Sequence, residues 1–324
     1  MQNMRAIWSW AAVVLLLANY SEAAAVVPAT RPTTCATDSS PLTAGDHRRQ
    51  LVVDGRTRSY LVHVPPRYDE KTPNPVVLAF HGALMNGGMM AGFTGLNRKA
   101  DAANFIVVYP NGTGVGEAAL FFNASLPRSP DGPADDVAFI ARLLDDLATV
   151  VNVDARRVFA TGMSNGGMMC HRLAAELSDR IAAIAPVAGT LALPQVHPER
   201  PVPVLHIHGT ADTIVPWGGP VGRTPARMQF RSVAETVQTW VEANGCPSEP
   251  TTIDYPDVVQ DGTTVIRKVY GPGKDGAEVV LIEVKGGGHT WPGQQIATPF
   301  LGKSSVDVVA NDLLWEFFLK HPMK

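Results

Sequence analysis

Apolar residues in this chain gather into short runs set between helical repeats. Pro75–His81, Phe105–Tyr109, Ile181–Ala188 and Val202–His208 are nearly continuous apolar stretches of five to eight residues. Runs of that length read as strands buried on both faces. Val158-Phe159-Ala160 makes the centre of another, over Arg156–Thr161. Between them, Asp135–Val151 sets Val137, Ile140, Leu143, Leu144 and Leu147 at helical spacing behind an acidic first turn. Met228–Ala243, ended by Asn244-Gly245, and Ser305–Leu319 read as further helices. Alternation of this kind predicts an α/β fold with a mostly parallel central sheet and helices on both faces.

The two ends of the pattern differ from its middle. Gln50–Val53 and Ser59–Val64 flank Asp54-Gly55, a hairpin signal, and predict antiparallel strands leading into the sheet. Thr263–Tyr270 and Ala277–Lys285 are β-rich stretches around the turn Pro272–Gly276. Residues 26–48, rich in Pro, Thr, Ala and Ser, read as an extended N-terminal arm without a core. Residues 49–324 show no repeat and no second compositional regime, so one catalytic domain is expected there. Gly112–Pro133 reads as a loop that shapes the mouth of a pocket, together with Trp217–Arg227.

Residues 1–25 read as a secretory signal peptide: Arg5, an apolar core Ala11–Ala18, then small residues at Ser21 and Ala23–Ala25. That core is too short to span a bilayer, which takes about 20 apolar residues. The expectation is a secreted or periplasmic protein with no membrane partner after cleavage. Charged residues are 18% of the chain and the net charge is −3 without a basic cluster, which argues against nucleic acid as a partner. An export route permits a disulfide, and three cysteines leave one thiol over. Cys170, inside a helix, reads as buried and free. Cys35 and Cys246, in polar loop-like stretches, are the better pair, with three unpaired thiols as the alternative.

The chemistry centres on Thr161-Gly162-Met163-Ser164-Asn165-Gly166-Gly167. A G-x-S-x-G that leaves a strand and enters a helix is a nucleophile elbow, holding a serine hydroxyl up at the sheet edge. A serine needs a histidine to take its proton and a carboxylate to orient that histidine. The order serine, acid, histidine is met by Ser164, Asp212 and His289, the last two directly after predicted strands and beside glycines. A lone Asp after a strand is more often a turn former, as Asp254, Asp257 and Asp261 are read, and His63, His197 and His321 are read as surface or core residues. His206 and His208 alternate on one strand without ligands at metal spacing and are read as structural. The oxyanion donors expected are the backbone N–H groups of Asn165 and of Ala83, with Leu84 the alternative to Ala83. Trp217, Trp291 and Met163 stand beside the motif residues and line the substrate pocket or, equally, pack the core.

Several of these pieces occur in a fixed order. They are Val53–Tyr60, His81-Gly82, Asp135–Phe139, Gly162–Met169, Ile184–Gly189, His208–Asp212 and His289–Gly293. In this the chain resembles the secreted esterases of the polyhydroxybutyrate depolymerase and feruloyl esterase group, carbohydrate esterase family one. The resemblance implies an α/β-hydrolase fold and ester hydrolysis without metal or cofactor, with Ser164, Asp212 and His289 as triad. Relatives acting on insoluble polyester carry a polymer-binding domain behind a linker. Neither follows here, so the expected partner is a small or oligomeric ester: feruloyl or acetyl esters of plant polysaccharide, or hydroxyalkanoate oligomers. The chain is expected to act as a monomer. An acyltransferase, a peptidase or an inactive binding protein on the same scaffold are the competing readings.

Overall fold

The computed structural model describes residues 40–125, 133–220, 229–294 and 299–324. The predicted signal peptide, most of the predicted arm, Cys35, and parts of both pocket-mouth loops lie outside the described residues. The hairpin that opens the sheet is longer than its apolar pattern indicates, pairing β1 (Gly45–Val53) with β2 (Arg56–Val64). Its two-residue turn sets Asp54 at φ 49° and Gly55 at φ 72°, the left-handed pair that matches strand twist in a tight hairpin.

The core strands follow: β3 (Asn74–Phe80) and β4 (Ile106–Pro110), each buried along its whole length. A small hairpin, β5 (Thr113–Val115) with β6 (Ala119–Phe121), occupies part of the stretch read as loop. Then come β7 (Val153–Met163), β8 (Ala183–Val187), β9 (Val204–Gly209), β10 (Thr251–Asp254), β11 (Thr264–Tyr270) and β12 (Val279–Lys285). Ten strands form one sheet in the order β1-β2-β4-β3-β7-β8-β9-β12-β11-β10. Its centre, β4 to β12, is parallel, and both flanks are antiparallel. Asp254, expected in a turn, pairs with Ile266 in the exposed edge strand β10, which has no buried face to reveal it.

Six helices cover the sheet among the described residues: α1 (Gly87–Thr94), α2 (Leu96–Ala103), α3 (Asp136–Ala148), α4 (Asn165–Glu176), α5 (Val233–Ala243) and α6 (Ala310–Lys320). None of them is long and apolar enough to cross a membrane. The two-residue period of β3 divides its side chains between two cores. Val76, Leu78 and Phe80 pack with α3, α4 and α5, while Val77 and Ala79 pack with α1, α2 and α6. α5 begins at Val233, five residues later than its apolar pattern suggests. Ser232 and Glu235 form a capping box there, each side chain accepting the other's backbone N–H. Cys170 is buried and free, as expected. Cys246 also carries a free thiol, turned toward Ala277 O at 3.6 Å, and its expected partner Cys35 lies outside the described residues.

Four histidines are sealed into this core: His81, His171, His206 and His208. Burial, the largest influence on each, lowers His81 to about 4 and His171 to about 3, and also lowers His206 and His208. They are therefore neutral in the folded chain at pH 7, whereas in the unfolded chain each titrates near 6.5. Below pH 6.5 the unfolded state binds more protons, so stability present above that pH is lost as pH falls toward the folded values. Each such histidine contributes a slope of up to about 1.4 kcal/mol per pH unit. Urea midpoints taken from pH 7.5 to 5 should fall steadily; a flat profile would mean that these rings are protonated in the native state.

Candidate active site

Strand β7 ends in a forced turn. Ser164 adopts φ 56°, ψ −121°, a strained conformation for a residue with a side chain, and it caps α4. The turn is possible because strand and helix backbones nearly touch: a Cβ on Gly166 would lie 2.2 Å from Phe80 O, and one on Gly162 would lie 2.7 Å from Gly166 C. Ser164 N–H donates to Val187 O at 2.9 Å, which ties the elbow to the neighbouring strand. Asn165 is the first residue of α4, where no carbonyl within the helix lies one turn back to accept its N–H.

The loop after β3 passes beside this turn. A Cβ on Gly82 would sit 3.7 Å from Ser164 Cβ, so Gly82-Ala83 runs along the serine. Leu84, the alternative oxyanion donor, is already committed: its N–H donates to Leu120 O at 2.9 Å. Ala83 remains the candidate. His81 shapes the loop, its Nδ1–H donating to Gly82 O at 2.7 Å while Nε2 accepts from Gly112 N–H at 3.0 Å.

Asp212 and His289 come together at the same rim, past the ends of β9 and β12. His289 Nδ1 lies 2.7 Å from Asp212 Oδ2, and both side chains are buried. Asp212 Oδ1 accepts from the N–H groups of Ile214 at 2.8 Å and Val215 at 2.9 Å. Burial works to raise the Asp212 carboxyl, but the charge and hydrogen bond of His289 and the other donors outweigh it and hold it below the ordinary value. An ionised Asp212 only accepts, so His289 donates to it from Nδ1, which leaves Nε2 as the nitrogen turned away from the carboxylate. The two loops are held by close backbone contact: a Cβ on Gly209 would meet Gly287 O at 2.3 Å, and Ala211 N–H donates to Gly287 O at 2.8 Å.

The pocket residues divide. Trp291 is fully buried and its indole N–H donates to Asn311 Oδ1 on α6 at 2.9 Å, so it packs the core and offers no surface to a substrate. Met163 is buried as well. Trp217 is half-buried, edge-on to His208 with ring centroids 6.0 Å apart, and is the one of the three with accessible surface. Among the described residues, no group of three or more His, Cys, Asp or Glu is gathered as a metal site.

A set of residues outside the motifs fixes the segment that borders the elbow. The Asn165 carboxamide bonds Phe122 on both sides, Oδ1 accepting from its N–H at 2.7 Å and Nδ2 donating to its carbonyl at 3.0 Å. Asn123 N–H donates to Asp136 Oδ2 and Asn123 O accepts from Arg172. Asp136 is in turn paired with the buried Arg58, whose guanidinium lies 4.0 Å above the Phe139 ring. The sequence pattern marked Asp136 as part of an acidic first helical turn and gave no role to Arg58 or Arg172. Charged residues inside an otherwise apolar helical stripe, as Arg172 is in α4, were the available signal.

The comparisons with known proteins agree with this architecture. Residues 133–225 match the family described as Phospholipase/Carboxylesterase. The protein named "Putative esterase NocK" from Nocardia uniformis subsp. tsuyamanensis is 37% identical over 76% of this chain and 74% of its own length. Feruloyl esterase B of Piromyces equi is 27% identical over 72% of this chain, which spans only 42% of that relative's length. Among solved structures, an acetyl xylan esterase from Aspergillus awamori superposes with TM-score 0.60 at 17% identity, covering 84% of this chain and 98% of that one, a likeness of fold. The chain belongs to the esterases of the α/β-hydrolase superfamily and is a carboxylic ester hydrolase.

Proposed function

We propose that this is an exported serine esterase that cleaves feruloyl or acetyl esters of plant polysaccharide through an acyl-enzyme on Ser164. The observation that carries the reading is the 2.7 Å contact between His289 Nδ1 and Asp212 Oδ2 at the rim where the elbow holds Ser164. It leaves His289 Nε2 as the base. Ser164 Oγ attacks the ester carbonyl carbon and its proton passes to His289 Nε2. The carbonyl oxygen becomes an oxyanion, met by the N–H groups of Asn165 and Ala83. When the tetrahedral species collapses, the bond to the alcohol oxygen breaks and His289 returns the proton to that oxygen. Water then attacks the acyl-serine by the same route, freeing the acid and restoring Ser164. Asp212 stabilises the imidazolium formed in each half without taking the proton.

The names of similar proteins, a feruloyl esterase and an acetyl xylan esterase, support this substrate class. The half-buried Trp217 is the aromatic surface proposed to face the acyl or alcohol portion. Export rests on the apolar leader pattern of residues 1–25, with the catalytic body over residues 49–324.

Two measurements test the reading. With p-nitrophenyl acetate, Ser164→Ala should lower kcat by at least about 10⁴-fold, and Asp212→Asn by roughly 10³- to 10⁴-fold. Equal rates for wild type and Ser164→Ala would defeat the mechanism. Side-by-side hydrolysis of methyl ferulate, acetylated xylan and hydroxybutyrate oligomers should favour one of the first two. Turnover of hydroxybutyrate oligomers alone would overturn the substrate assignment while leaving the triad intact.

A further inference from the structure

Three imidazoles run behind the proposed triad acid, and the mechanism uses none of them. His206 and His208 lie on β9, His171 on α4, and all are buried. Their ring centroids are 5.3 Å apart for His206 and His208, and 5.6 Å for His171 and His206. Burial keeps each ring neutral, so each carries one N–H and one lone pair.

The fixed groups at the ends determine which nitrogen holds the proton. Val215 O can only accept, and it lies 2.8 Å from His208 Nε2; that nitrogen is therefore the donor. His208 Nδ1 is left as an acceptor, so His206 Nε2, 3.2 Å away, donates to it. At the far end the Trp240 indole can only donate, and it does so to His171 Nδ1 at 2.9 Å, which puts the His171 proton on Nε2. Of the two remaining atoms, His206 Nδ1 is an acceptor without a partner among the described residues, and His171 Nε2 is a donor on a ring that also meets the backbone of Gly189. Every hydrogen of the set thus has one assigned direction.

The direction matters at Val215. Its carbonyl is gripped by His208 while its N–H, with that of Ile214, is donated to Asp212 Oδ1. His208 Nε2 also stands 3.5 Å from Asp212 Oδ2, the oxygen bonded to His289. A neutral donor there supports the carboxylate without adding a charge beside it.

We propose that His206 and His208 are positioning residues for ester hydrolysis: the one-way relay His206 Nε2–H to His208 Nδ1, then His208 Nε2–H to Val215 O, holds the turn that delivers two amide donors to Asp212. This rests on Asp212 being the triad acid. Without the His206 donor, His208 Nδ1 is a buried acceptor that has lost its partner, and only the contacts of Nε2 with Val215 O and Asp212 still favour the tautomer that grips Val215 O.

The test compares His206→Leu, which removes the donor, with His206→Gln, whose Nε2 amide restores it, in the full chain with p-nitrophenyl acetate. His206→Leu should lower kcat roughly tenfold, the scale of one buried hydrogen bond, with KM within about twofold of wild type. His206→Gln should recover most of the loss. An unchanged kcat in His206→Leu, or equal impairment of both variants, would overturn the proposal. If His206→Leu does not fold, imidazole ¹⁵N shifts of the wild type decide: Nε2–H tautomers at both His206 and His208 support the relay, and an Nδ1–H tautomer at His208 refutes it. Ser164→Ala, assayed alongside, separates the two claims. A dead Ser164→Ala with an unimpaired His206→Leu removes only the relay, whereas an active Ser164→Ala removes the triad beneath it.

Discussion

A carboxylate buried at the rim of an apolar sheet is tolerable only if both of its oxygens find donors. Asp212 meets that demand with His289 on one oxygen and the amides of Ile214 and Val215 on the other. Much of the surrounding backbone is arranged to keep those donors where they are. The Gly209–Gly287 approach fixes the separation of the two loops, and β9 and β12 must be parallel neighbours for the approach to occur. Because the carboxylate is already satisfied, it stays ionised and selects the histidine tautomer that leaves Nε2 basic. The proposed chemistry is thus a consequence of how one buried charge is solvated by protein.

Satisfaction of buried polar groups also explains the other side of the site. The elbow at Ser164 stores backbone strain, and strain persists only where neighbours over-determine it. Here β8 holds Ser164 N, and the Asn165 side chain fastens Phe122 as if it were a further strand. The buried pair of Arg58 with Asp136, continued by Arg172, then anchors Asn123. A residue proposed to supply an oxyanion donor through its backbone therefore uses its side chain to fix the segment that borders the elbow. Replacing the amide side chain would loosen both at once.

The central strands and the positions of Ser164, Asp212 and His289 were legible because each depends on local pattern. A short, continuous apolar run such as Val76–Phe80 reads as a strand buried on both faces, and glycines cluster where backbones must touch. What the pattern concealed depends on long-range contact. α1 opens with Gly87-Gly88, poor helix formers, and forms because Asn86 caps it and Met90 is buried. β10 exposes all four of its residues and exists only as a partner for β11. The start of α5 was marked by Ser232 and Glu235, three apart, a signal that the apolar period beginning at Met228 overrode. Trp291, two residues past a motif histidine, suggested a pocket wall, yet the chain bends at His289 and Trp291 fills the core against α6.

The central claim is that Asp212, through His289, makes Ser164 the one reactive hydroxyl of the folded chain. Labelling with a fluorophosphonate, followed by peptide mass spectrometry, tests it without any assumption about substrate. The account predicts a single adduct on Ser164, absent in Ser164→Ala and formed far more slowly in Asp212→Asn. An adduct on another residue, or labelling of Ser164 at an undiminished rate in Asp212→Asn, would contradict it.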